Sequence, residues 1–146
     1  MEERKLSFQD VPWGYHLCFN SKCPKADECL HYQAGLLAPV TMTAGTAIYP
    51  AAWKNGDCQH YRTCKPVQLA YGFNNLYRHL PSYLASEARM RIRTYLSSGM
   101  STYYRYHHGE RLMSPQLQKE ILGIMARYGS TEGLSFDHYV TAFDFT

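Results

Sequence analysis

The chain contains no run of about 18 apolar residues, so a membrane-spanning helix is not expected among its 146 residues. It also lacks the short signatures of common catalytic machinery: no G-x-S-x-G, no phosphate-binding P-loop and no H-E-x-x-H occurs. No internal repeat and no low-complexity segment is present. Cysteine is absent after Cys64, which confines any thiol chemistry to the first half. Charge is sparse, at 18% of residues, and the net formal charge of +3 by itself points to no partner. The charged start Met1-Glu2-Glu3-Arg4-Lys5-Leu6 is followed by no apolar signal core, so secretion is not expected. The ending Phe143-Asp144-Phe145-Thr146 has no cysteine to prenylate. The expected setting is therefore the cytoplasm, with no membrane association. In that reducing environment clustered cysteines more often hold metal or do redox chemistry than form disulfides.

What is present is enough to fold. The length suits one domain with its own core, and 45% hydrophobic residues with 14% aromatics fit a globular chain. Thirteen tyrosines suit a semi-buried core as well as contact surfaces, because each joins a large apolar ring to a polar tip.

The five cysteines are spaced as Cys18-x4-Cys23-x5-Cys29 and Cys58-x5-Cys64. Thiolates are soft donors suited to zinc, copper(I) or iron–sulfur clusters, and such a site needs three or four ligands converging on one point. Cys18, Cys23 and Cys29 are separated by turn-forming residues that let the chain curl, and Cys58 is the first choice for a fourth ligand. Cys64 and His60 are the alternatives, with His31 and His16 behind them. A fully thiolate site is closed, so a zinc there would be structural. Spacing does not separate zinc from a 4Fe–4S cluster. The pattern lacks paired C-x2-C knuckles. It also departs from the Cys3His finger that reads RNA, since one residue rather than three separates Cys29 from His31.

Along the chain, residues 1–17 read as an extended leader, with Pro12 and Gly14 opposing a helix around Trp13. Pro24 is placed to open a helix running through Cys29 and Tyr32 to about Gly35. Val40–Thr43 and Thr46–Tyr49 carry β-formers and read as short strands or extended loop. The spacing predicts a helix over Val67–His79, interrupted near Gly72 and ended by Pro81. A second helix, capped by Ser82, is predicted over Tyr83–Leu96, with Gly99 as its stop. Ser101–Gly109 is rich in β-favouring aromatics. Ser114-Pro115 is a strong helix start, with Gly129 as the stop. Ser135 would cap a last helix whose apolar face is Phe136, Tyr139, Val140 and Phe143. These segments make a small, helix-rich α+β single domain. Residues 1–66 form a loop-rich cysteine-cluster half, and residues 67–146 form a helical half.

Between Arg78 and Arg111 six arginines face two glutamates, a local net of +4. Arg89 and Arg93 share a helix face, followed by Tyr104, Arg105, Tyr106, His107 and Arg111. Arginines beside aromatics are the composition of surfaces that hold phosphates and stack bases. An ordinary basic face over a tyrosine-packed core has the same composition. No recognised nucleic-acid module matches. The loop Gly129–Leu134, between two candidate helices, has Glu132 as its one carboxylate, which excludes a calcium loop. His107 and His108 are adjacent and point apart, so they form no ready ligand pair. A cysteine nucleophile, Cys58 or Cys64 near His60, is the enzymatic option, and no catalytic residue is assigned.

The phrase Cys18-Phe19-Asn20, Cys23-Pro24, Cys29-Leu30 and Tyr32 recurs with Tyr106, Gly109-Glu110-Arg111, Met113, Pro115, Phe136-Asp137 and Tyr139. Together these resemble an uncharacterised family of small proteins from gut-dwelling anaerobic bacteria, over most of the chain. The resemblance implies a bacterial cytosolic setting and carries no activity, cofactor or residue role. The expectation is a non-enzymatic interaction module with structural zinc, binding nucleic acid or an acidic protein through the Arg/Tyr surface. The alternative is a small iron–sulfur or thiol redox protein.

Overall fold

The computed structural model describes residues 4–96 and 100–146. The expectations placed on Met1–Glu3 and on Gly99 lie outside the described residues. The architecture is α+β, with five α-helices and three two-stranded sheets among the described residues. The chain divides into two compact units: residues 1–66 with 143–146, and residues 67–142.

The N-terminal unit is made of short pieces. Its leader holds a 3-10 turn, Phe8–Asp10, closed by a capping box in which Ser7 Oγ accepts from the Gln9 N–H and the Ser7 N–H donates to Asp10. Strand β1 (Leu17–Cys18) precedes helix α1 (Leu30–Leu36) and pairs in parallel with β2 (Ala47–Ile48). The α1 backbone lies hard against β1: a Cβ at Gly35 would meet the Cys18 carbonyl oxygen at 2.5 Å. Strands β3 (Trp53–Lys54) and β4 (Asp57–Cys58) form a hairpin. Asn55 and Gly56 turn it with φ of +52° and +79°, the pair of positive angles that an Asn-Gly turn adopts most readily.

Two expectations for this unit change. The helix predicted from Pro24 is instead a 3-10 turn, Ala26–Glu28, followed by α1. Cys29 between them is extended (φ −96°, ψ 125°), because its backbone is drawn into a bridge with Thr63. Val40–Thr43 forms no strand and begins as a turn, with the Met42 N–H bonded to the Pro39 carbonyl.

The second unit is more regular. Strand β5 (Val67–Tyr71) leads into the single-turn helix α2 (Asn74–Tyr77), then α3 (Ser82–Leu96), α4 (Met100–His108), α5 (Pro115–Met125) and β6 (His138–Ala142). Strands β5 and β6 pair antiparallel, Val67 opposite Ala142 and Tyr71 opposite His138. Ala88 and Ile92 of α3, Tyr103 and Tyr106 of α4, and Ile121 and Met125 of α5 are buried at helical spacing around Phe73 and Phe136. The start of α5 is as the sequence predicts: Ser114 Oγ accepts from the Leu117 N–H at 3.2 Å, with Pro115 in the first turn. Gly129, at φ +134°, follows its terminal 3-10 turn.

Three segments of this unit differ from expectation. Val67–Tyr71 is a strand, because its backbone finds a partner in residues 138–142 that no local pattern announces. The last predicted helix is absent for the same reason: His138–Ala142 is strand β6, and the apparent helical face of Phe136, Tyr139, Val140 and Phe143 is a coincidence of spacing. Phe136 is buried in this unit's core, whereas Phe143 belongs to the N-terminal unit. Ser101–Gly109 folds almost wholly as α4 despite its β-favouring aromatics. Tyr103, Tyr106 and His107 fall at i, i+3 and i+4, so a helix turns them to one side.

Candidate functional site

Local backbone geometry places the cysteines. Cys18 ends β1, where α1 packs against it. From Asn20 to Cys23 the chain turns tightly: the Cys23 N–H donates to the Asn20 carbonyl at 3.1 Å and the Lys22 N–H to Asn20 Oδ1 at 3.3 Å. Cys29 is buried at the N-terminus of α1, where its carbonyl accepts from the Gln33 N–H. Cys58 arrives on the Asn55-Gly56 hairpin. Lys25 ties that hairpin to the Cys23–Cys29 loop, donating to Asp57 Oδ1 at 3.0 Å while lying over the Tyr61 ring. The Asn-Gly dipeptide is a legible hairpin signal, and sequence reasoning passed over it although it carries a candidate ligand.

Cys18, Cys23, Cys29 and Cys58 line one cavity of about 20 Å³, together with His31 and His60. That volume holds a single water-sized atom. Burial pushes the Cys18 thiol up from its ordinary pKa; an Asn20 backbone hydrogen bond opposes this, and the nearby Cys29, Cys23 and Cys58 add to it. No disulfide joins them, and all five cysteines are free. As the side chains stand, no group of three or more His, Cys, Asp or Glu among the described residues is arranged to hold an ion.

The alternative ligands separate clearly. Cys64 does not line the cavity: it lines an open groove, its N–H bonded to the Glu28 carbonyl at 2.9 Å next to Cys29, and burial, then Cys29, raises its thiol pKa. His31 has both ring nitrogens engaged. Its Nδ1–H donates to the His16 carbonyl at 2.6 Å, and Nε2 accepts from the Tyr15 hydroxyl at 3.4 Å, with the two rings stacked at 4.5 Å. Burial lowers its pKa, which favours this neutral form. His60 is exposed and lies at the border between the cavity and an open pocket of about 610 Å³ that His16 also lines.

The expected Arg/Tyr surface is reorganised by packing. Tyr106 is buried, so it leaves the surface; its ring carries the Arg111 guanidinium at 5.1 Å. Arg89 lies over the Tyr77 ring at 5.1 Å, beside the buried Tyr77–Tyr103 hydroxyl pair (2.9 Å). Arg93 is half-buried, and its Nε has no hydrogen-bond partner. His107 is half-buried; its Nδ1 accepts from the Phe73 N–H at 3.2 Å. Burial, then His108, lowers its pKa, as an accepting nitrogen requires. What remains outward on α4 is Tyr104 stacked on His108 (5.8 Å, 17° between planes), with Arg105 and Arg111 exposed nearby and the Arg111 N–H bonded to the Arg105 carbonyl. Eight arginines and lysines face five acids in residues 67–142, against seven and seven in the rest, so the whole positive excess sits in this unit. No described helix is long and apolar enough to cross a membrane.

Residues 1–145 match the model of a family of unknown function (DUF6078), and the chain belongs to that family. No curated protein and no solved structure matches it.

Proposed function

We propose that this family member is a non-enzymatic interaction module whose N-terminal unit is pinned by a structural zinc ion held by Cys18, Cys23, Cys29 and Cys58. The observation carrying this reading is the cavity of about 20 Å³ that those four cysteines line and Cys64 does not. Its size suits one ion rather than a four-iron cluster. Binding would deprotonate the thiols and draw them inward, adding metal affinity directly to the folding free energy of a unit with little regular structure. Elemental analysis with an absorbance spectrum on anaerobically purified protein tests it. About one zinc per chain, lost in Cys23→Ser and kept in Cys64→Ser, is the expected result. Iron with sulfide would move the protein to the redox reading, and no metal would end the proposal.

The partner surface in this reading is the outward edge of α4: Tyr104, Arg105, His108 and Arg111, with Arg89 beside it. Stacked exposed rings flanked by guanidiniums favour single-stranded nucleic acid, for which every base offers a π-face. Fluorescence anisotropy with a labelled mixed-sequence oligonucleotide should give binding that weakens steeply with salt and is lost in Arg105→Ala/Arg111→Ala. Binding of polyglutamate in place of the oligonucleotide would assign the surface to an acidic protein.

A further inference from the structure

The groove that holds Cys64 has a composition unlike the rest of the N-terminal unit. It is open, about 1460 Å³ in volume, and bordered by Arg4, Lys5 and Lys65, with no carboxylate among its lining residues. Arg4 is paired with Asp10 at 3.4 Å, while no ion pair involves Lys5 or Lys65 among the described residues. Its apolar part is the end of α1. That helix buries Leu30, His31, Ala34 and Gly35, and the close contact of Gly35 with Cys18 fixes which side faces inward. Leu36 and Leu37 follow on the other side, 61% and 42% exposed, and both line the groove. Two leucines left in water beside uncompensated ammonium groups are a poor surface for an isolated chain and a good one for a ligand of opposite charge with apolar side chains.

We infer that this groove is a docking site for an acidic peptide segment of a protein partner, its apolar side chains on Leu36 and Leu37 and its carboxylates at Lys5 and Lys65. A concave site suits an inserted segment better than a flat lipid surface, and the aromatic ring in its lining, Phe143, is buried at 5% exposure and so offers no open face against which a base would stack. The inference is separate from the α4 surface and depends on none of its residues.

Selection of a displayed random-peptide library on the full-length protein tests it without presupposing a sequence. Enriched peptides should be net negative with aliphatic or aromatic residues at recurrent spacing. A fluorescein-labelled copy of the enriched peptide should lose affinity by about tenfold or more in Lys5→Glu/Lys65→Glu, where like charges would face each other. Leu36→Glu should weaken it comparably through the apolar contact, and Arg105→Ala/Arg111→Ala should not change it. Circular dichroism of the variants guards against misfolding, which is not expected at three exposed positions. No enrichment, enrichment of non-acidic peptides, or undiminished binding to both groove variants would overturn the inference. Lysine-dependent binding to phosphatidylglycerol vesicles without peptide binding would overturn it in favour of a lipid surface.

Discussion

The two units differ in how much core they build. Of the eight largest fully buried side chains among the described residues, seven (Phe73, Leu76, Ile92, Met113, Ile121, Met125 and Phe136) lie in residues 67–142, and Leu30 alone belongs to the N-terminal unit. Each such side chain contributes roughly 1.5–3 kcal/mol on burial, so the second unit has a core of ordinary strength. The N-terminal unit, 66 residues plus the last four, has among its described residues strands of two residues, one seven-residue α-helix and no disulfide. It also leaves Trp13, Phe19, Val40 and Tyr49 largely in water. Units below about 70–80 residues commonly depend on a metal or cross-links. The lesson is that five cysteines sit where the core is thin and none where it is thick.

The largest expected effect follows from that contrast. Cys29→Ser should unfold the N-terminal unit while leaving residues 67–142 folded, and Cys64→Ser should leave both intact. Near- and far-ultraviolet circular dichroism of the two variants checks this, and equal damage from both would break the contrast. In the second unit, Phe73→Ala removes a fully buried ring stacked on Tyr103 at 4.8 Å and should cost about 3–5 kcal/mol in denaturant unfolding, without altering metal content.

A smaller effect is expected at Asp137, whose carboxylate accepts from the Asn74 N–H at 3.0 Å and the Asn75 N–H at 2.7 Å and so caps α2 from a distant part of the chain. Asp137→Ala should cost about 1–2 kcal/mol. The neighbouring Gly72 must stay small: it has φ +87°, and a Cβ there would stand 2.6 Å from that of Asp137. The mildest effect is pH dependence at His107. Its folded pKa lies below the ordinary value near 6.5, so the unfolded chain binds the proton more readily. Stability from this group is present above about pH 6.5 and is lost as pH falls toward the lowered folded pKa. The unfolding midpoint of the second unit should therefore drop between neutral and mildly acid pH, and less so in His107→Gln.

How much of this was legible in the sequence depends on the range of the interaction. Cysteine spacing and the Ser114-Pro115 cap are local, and both are read directly from neighbouring residues. The Asn55-Gly56 turn is equally local and was readable from the same turn chemistry. The β5–β6 pairing was not readable, since Val67 and Ala142 meet across most of the unit and neither segment's pattern names the other. Residues 101–108 show propensity losing to packing: tyrosine favours strands, but the buried positions 103 and 106 are satisfied by a helix turn. At the candidate site, sequence alone offered five cysteines and three histidines. Only the fold separates Cys64 from the other four and shows both His31 nitrogens already bonded.

Amide hydrogen exchange on the purified protein, before and after a zinc chelator, tests the central contrast most directly. The account predicts that chelation abolishes protection in Leu30–Leu36 and at the β1–β2 pair while β5, β6, α3 and α5 keep theirs. Protection unchanged by chelation, or lost equally in both units, would contradict it.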